Sequence, residues 1–84
     1  MEYELYIRRA AFDFLRQLRS AERDQLLRLL DELCSDPHRV GDFVEKDATG
    51  RNVEAMIFRG YAIFYWPDHA VKELRVIKIR LADR

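Results

Sequence analysis

The side chains able to do chemistry in this chain are mostly cations, and they gather in its second half. Residues 50–84 hold seven Lys or Arg against four Asp or Glu, whereas residues 1–49 hold eight against eleven. The halves therefore carry +3 and −3 inside a formal net charge of zero. Lys72, Lys78 and Arg80 share one parity of the terminal segment, Arg75 has the other, Arg59 lies in a turn, Arg51 opens the preceding strand, and Arg84 is the last residue. On a pleated strand one parity means one face. A concave sheet face carrying Arg and Lys can hold an RNA backbone and stabilise the charge of a phosphoryl transition state. The same spacing describes an ordinary edge strand whose cations block edge-to-edge aggregation, and spacing alone favours that plainer reading. The skew is also far below the basic excess of a dedicated nucleic-acid binder.

Other chemistries find less support. His69 follows Pro67-Asp68 in a turn and is a candidate general acid or base, although a turn histidine beside an aspartate is usually solvated. His38 lies in an irregular stretch. Cys34 is the only cysteine, which excludes an intrachain disulfide, fits a reducing compartment, and reads as a small buried hydrophobe near a helix end. His38, His69, Cys34 and the carboxylates lack metal-ligand spacing, and Gly41, Gly50 and Gly60 are too isolated to cradle a phosphate, so neither metal nor cofactor is expected. Tyr61, Phe64, Tyr65 and Trp66 offer rings for base stacking, but in so short a chain at least three of the four are expected in the core.

The elements that must position these residues follow from hydrophobic period. Eighty-four residues, 49% hydrophobic and 36% charged, are read as one domain spanning 1–84. Glu2 to Ile7 partly alternates and predicts a first strand with Tyr3, Leu5 and Ile7 on one face. Ala11, Phe14, Leu15 and Leu18 recur at helical spacing within a helix from Ala10 to Leu18. Ser20 is the expected N-cap of a second helix, Ala21 to Cys34, with its stripe at Leu26, Leu29, Leu30 and Leu33. Asp36-Pro37 stops it, and the short link between the helices implies an antiparallel hairpin. Pro37 to Gly50 is expected to be irregular, pinned by Phe43 and Val44.

From Arg51 the period becomes two. Val53, Ala55 and Ile57 alternate with Glu54, Met56 and Phe58, and Arg59-Gly60 signals a turn. Tyr61 to Trp66 is apolar on both faces, as in a central strand. Pro67 to Ala70 is a second turn, and Val71 to Leu81 the last strand. There the phase changes between Leu74, Val76 and Ile77, Ile79, Leu81, so a bulge near Val76–Ile77 is expected. The fold class is α+β: strand, helix, helix and a three-stranded antiparallel meander, with the helical hairpin on one sheet face. No apolar run reaches the length of a membrane span and no signal peptide is read at Met1 to Ile7, so the expected setting is cytoplasmic.

This order resembles the RelE/ParE superfamily, the toxin halves of type II toxin–antitoxin pairs, along nearly all 84 residues. The likeness lies in length and element order, in the Tyr6-to-Leu18 opening with Ala11 and Leu18, in Leu33 followed by Asp36-Pro37, and in Gly60-Tyr61-Ala62-Ile63-Phe64-Tyr65. The last segment resembles the family's Gly-Tyr-Arg-hydrophobic-x-Tyr strand. The resemblance implies a cognate antitoxin as partner. It also implies one of two targets, messenger RNA on the ribosome for the RelE type or DNA gyrase for the ParE type. Departures stand beside it. The arginine after Gly-Tyr is Ala62, the lysines of the preceding strand would fall near Glu54 and Met56, and the C-terminal tyrosine has no counterpart. A basic residue near the end of the last strand is matched by Lys78 or Arg80.

Three expectations follow. One is an endoribonuclease in which Arg59, Lys78, Arg80 and Arg84 supply positive charge and His69 moves a proton. Another is a non-catalytic module that binds gyrase or only an antitoxin. The third is a homodimer through an apolar surface at Phe12 or Phe58.

Overall fold

The computed structural model describes residues 2–82. In chain order the elements are β1 (Glu4–Ile7), α1 (Arg9–Arg16), α2 (Ser20–Ser35), β2 (Phe43–Lys46), β3 (Asn52–Phe58), β4 (Tyr61–Asp68) and β5 (Glu73–Leu81). The strands form one five-stranded sheet in the order β1-β5-β4-β3-β2. β1 runs parallel to β5, and every other pair is antiparallel. Both helices lie on one face of this sheet. The α+β class, the helical hairpin and the β3-β4-β5 meander are as the periodicity predicts.

One apolar face explains the arrangement. Ala11 and Leu15 of α1 and Leu26, Leu29, Leu30 and Leu33 of α2 pack with Met56, Ile63, Tyr65, Leu74, Val76 and Ile79 of the sheet. Each contributes apolar surface whose removal from water drives folding. Leu5 and Ile7 of β1 close the same layer. Cys34 is buried there, as expected for a small hydrophobe.

The structure corrects the sequence reading in three places. Arg19, not Ser20, occupies the cap position of α2; its backbone is extended and no side chain caps the helix. Ser20 already has helical geometry, one residue too late for its hydroxyl to reach an N-terminal N–H. The stretch from Pro37 to Gly50 contains a strand, β2. Both Phe43 and Val44 are half exposed, so no buried stripe advertises it. Pairing with β3 makes it a strand, in the register Phe43 opposite Ala55 and Lys46 opposite Asn52. Finally, Pro67 and Asp68 still belong to β4, and the turn falls two residues later, where Lys72 adopts a positive φ of 57°.

The bulge is where the phase change predicts it. Phe64 lies opposite Lys78 and Tyr65 opposite Val76, which leaves Ile77 as the extra residue of β5. That single insertion returns Ile79 to the helix-facing side with Leu74 and Val76. Among the described residues no helix is long and apolar enough to cross a membrane.

Candidate nucleic-acid interface

The helices leave the other face of the sheet uncovered, and the cations of β5 are on it. The bulge decides which ones. Lys78 and Arg80 are opposite Phe64 and Ala62, and both of those strand-β4 residues belong to the second, open-face apolar cluster. Arg75 is opposite Trp66, two residues along β4 from Phe64 and hence on the same face. Simple parity separates Arg75 from Lys78; the extra residue Ile77 unites them.

Beneath the cations lies an apolar floor of Val53, Ala55, Ala62 and Phe64, against which Ile77 packs. Phe64 is fully buried by what stands over it. The Lys78 Nζ is 4.6 Å from its ring centroid and the Arg80 guanidinium 4.9 Å. Phe43 of β2 meets the same ring edge-on at 6.1 Å. A cation over an aromatic face is held by the ring quadrupole without losing its charge to a counterion. Lys78 also lies 3.3 Å from the Glu45 carboxylate across a depression of about 420 Å³. Both partners are nearly half exposed, so that ion pair is weak.

A second group of charges and rings sits at the other end of this face. Arg75 pairs with Glu73 at 2.8 Å and approaches Asp68 at 3.8 Å. Its guanidinium is 5.1 Å from the Tyr6 ring and 5.9 Å from the Trp66 ring. Arg51 lies over Trp66 at 4.0 Å. Arg51 is held by its neighbour Asp47, whose Oδ1 accepts the Arg51 backbone N–H at 3.0 Å and whose own N–H donates to the Arg51 carbonyl at 2.9 Å. Hydrogen bonds to that carboxylate, first from the Thr49 hydroxyl, lower its pKa.

The remaining candidates fall elsewhere. Arg59 has a positive φ of 51° in the β3–β4 turn, and its guanidinium lies over Phe58 at 5.5 Å. With Gln25, Arg28 and Glu32 of α2 it lines a depression on the helix side, apart from Lys78 and Arg80. Arg84 lies outside the described residues. His69 is hydrogen-bonded through Nδ1 to the Tyr3 hydroxyl at 2.8 Å and stacks on His38 at 4.6 Å. It precedes β5, and Lys78 stands five residues beyond the start of that strand, roughly 15 Å away along it. His69 is therefore out of reach of a proton at the Lys78–Arg80 site. The Cys34 thiol is pushed up by burial and then by the carboxylates of Asp31 and Glu2, which keeps it protonated and poorly nucleophilic. Among the described residues no group of three His, Cys, Asp or Glu side chains is placed to hold a metal.

Glu54 and Met56 are on the helix-facing side of β3, not on the open face. Met56 is in the helix-side core, and Glu54 sits opposite the core residue Tyr65 and accepts the Gly41 N–H at 2.8 Å. The β3 positions that face the open side are Val53, Ala55 and Ile57, by the strand's period of two. Of the four aromatics, Phe64 and Tyr65 are buried and Tyr61 packs against the core, as expected, while Trp66 stands out on the open face. Sequence reading missed Tyr6, Trp66 and Arg75 as neighbours. The signal for them was the bulge, whose effect on the parity of Arg75 can be counted once its position is known.

No protein-family model matches the chain, and no curated protein matches it by sequence. Solved structures do. The RelBE2 toxin–antitoxin complex from Mycobacterium tuberculosis matches at a TM-score of 0.80 with 14% identity, over 98% of this chain and 100% of that one. The archaeal RelE–RelB complex from Pyrococcus horikoshii matches at 0.79 with 17% identity, over 100% and 99%. The isolated E. coli RelE toxin matches at 0.75 with 26% identity, over 98% and 86%. Sheet order, helical hairpin and likeness over nearly the full length agree that this chain has the RelE-like toxin fold.

Proposed function

We propose that this protein is the toxin half of a toxin–antitoxin pair, neutralised by a cognate antitoxin, and that its uncovered sheet face engages RNA. The observation that carries the reading is the convergence of Lys78 and Arg80 over Phe64 on the face the helices leave open. Two cations held side by side above an apolar floor can together contact a phosphodiester. They would also stabilise the dianionic phosphorane of strand cleavage by a neighbouring 2′-hydroxyl. The antitoxin partner is supported by the structural neighbours solved as toxin–antitoxin complexes.

Induced expression of the chain alone, then together with any small reading frame that adjoins its gene, tests this. Growth arrest with new 5′ ends in messenger RNA, relieved by the neighbouring product and lost in Lys78→Ala/Arg80→Ala, is the expected result. Unaltered growth and intact messages would refute the endoribonuclease.

A second reading, a non-catalytic module acting on gyrase or binding only an antitoxin, is favoured by the apolar floor. Val53, Ala55 and Ala62, buried residues of that floor, supply neither charge nor proton. Capture of gyrase or an antitoxin with no cleaved RNA would select it. The ribosome as the place of action, the role of Arg59 and Arg84 and a homodimer belong to the same proposal; sedimentation at rising concentration tests the last.

A further inference from the structure

The group formed by Tyr6, Arg75, Trp66 and Arg51 plays no part in charge stabilisation at Lys78 and Arg80, yet it is ordered across four neighbouring segments. Tyr6 of β1 is opposite Arg75 of β5, and Arg75 is opposite Trp66 of β4. Arg51, directly before β3, lies over Trp66. Ring, guanidinium, ring and guanidinium thus alternate across the sheet, in contacts of 5.1, 5.9 and 4.0 Å. With strands about 4.8 Å apart, the row is roughly 14 Å long, enough for two or three nucleotides laid across the strands.

We infer that this row is a base-stacking platform for single-stranded RNA, which fixes how a strand enters the Lys78–Arg80 site. The inference rests on the RNA reading above and adds to it a site of different chemistry. The charge of Arg75 is already matched by Glu73 and Asp68, so what it offers a ligand is its plane rather than its charge. Tyr6 is half exposed and Arg51 exposed, so their planes are accessible. Aromatic rings and guanidinium planes bind any base through its π-face, whereas a phosphate is met by charge, as the cations over Phe64 can supply. The two ends of the face therefore divide the work: stacking at Trp66, phosphate contact at Lys78 and Arg80.

Trp66 is the only tryptophan, so its emission reports on this platform alone. The experiment titrates the protein with an oligouridylate of about eight nucleotides, a length within the usual site size for single strands. Binding is read both by anisotropy of a labelled strand and by Trp66 emission with an unlabelled one. Quenching in step with binding is expected. Tyr6→Ala and Arg51→Lys should each weaken binding about five- to ten-fold, since a lysine keeps the charge but not the plane. Tyr6→Ala should leave the salt dependence unchanged, while Lys78→Ala should reduce its slope by about one. An abasic strand should bind weakly. Binding without quenching, equal affinity for the abasic strand, or an Arg51→Lys variant as good as the parent would overturn the platform and leave the RNA reading standing. Absence of any anisotropy change would overturn both. Far-UV circular dichroism confirms that each variant is folded.

Discussion

Tyr65 is buried in the helix-side core, and its hydroxyl donates a hydrogen bond of 3.2 Å to the Arg39 carbonyl. Burial, then the nearby Glu54 carboxylate, pushes its pKa up to about 12. The folded value exceeds the unfolded value of about 10, so the tyrosine's contribution to stability is whole below pH 10. It is lost as pH rises from there through about 12. A spectrophotometric titration should show one tyrosine ionising with unfolding in that window, and Tyr65→Phe should remove the late step. The same variant should cost about 1 kcal/mol in urea unfolding, the usual net worth of such a bond. On the proposed RNA reading, Glu45 should affect binding rather than stability. Glu45→Ala should leave the unfolding midpoint nearly unchanged, because exposed ion pairs contribute roughly 0–1 kcal/mol. It should raise RNA affinity about two- to five-fold at low salt by unmasking Lys78, with the gain vanishing at high salt as the charges are screened.

Among the elements, β2 depends on backbone approach more than on burial. The Asp42 N–H donates to the Ala55 carbonyl at 2.7 Å, and the Asp42 carboxylate accepts the Ile57 N–H at 2.6 Å. Gly41 beside it leaves no room for a side chain, since a Cβ there would stand 2.6 Å from the Ala55 carbonyl oxygen. Gly41→Ala should therefore lift the segment off β3, costing about 1–3 kcal/mol, as overpacking against fixed backbone does. Faster amide exchange confined to residues 42–46 would show it. In β5 the decisive residue is the unpaired Ile77. Its deletion shifts Leu74 and Val76 relative to Ile79 by one position, so one side of the bulge must present apolar residues to water. The expected outcome is loss of cooperative thermal unfolding, whereas Ile77→Val should fold normally.

At the scale of the molecule, the proposed function gives the two faces of one sheet different tasks. The helix side holds the chain together: Leu30 is wholly buried between α2 and the sheet. Leu30→Ala should cost about 2–5 kcal/mol and lower the melting midpoint by well over 10 °C, with RNA affinity of the folded fraction unchanged. The open side should behave inversely. Lys78→Ala/Arg80→Ala should keep the midpoint within a few degrees but lower the slope of binding against salt by about two, as expected for two lost phosphate contacts. If both variants moved stability and binding together, the division between faces would be wrong.

Much of this was written in the chain itself. The stripe from Leu26 to Leu33 and the alternation after Arg51 settled the helical hairpin and the meander, because burial on one side imposes a period that no other element shares. The phase break at Val76–Ile77 announced the bulge for the same reason. The edge strand β2 was illegible, since Phe43 and Val44 are exposed and their pairing partners stand ten or more residues away. So was the site. Parity set Arg75 against Lys78, and the basic excess of the second half grouped Arg59 with Lys78 and Arg80. Only the three-dimensional register, with one residue extruded from β5, brought Arg75 to the open face, and only the turn geometry carried Arg59 to the helix side. Periodicity records which residues avoid water. Which polar residues meet depends on strand order and register, and those are fixed by contacts between segments distant in sequence.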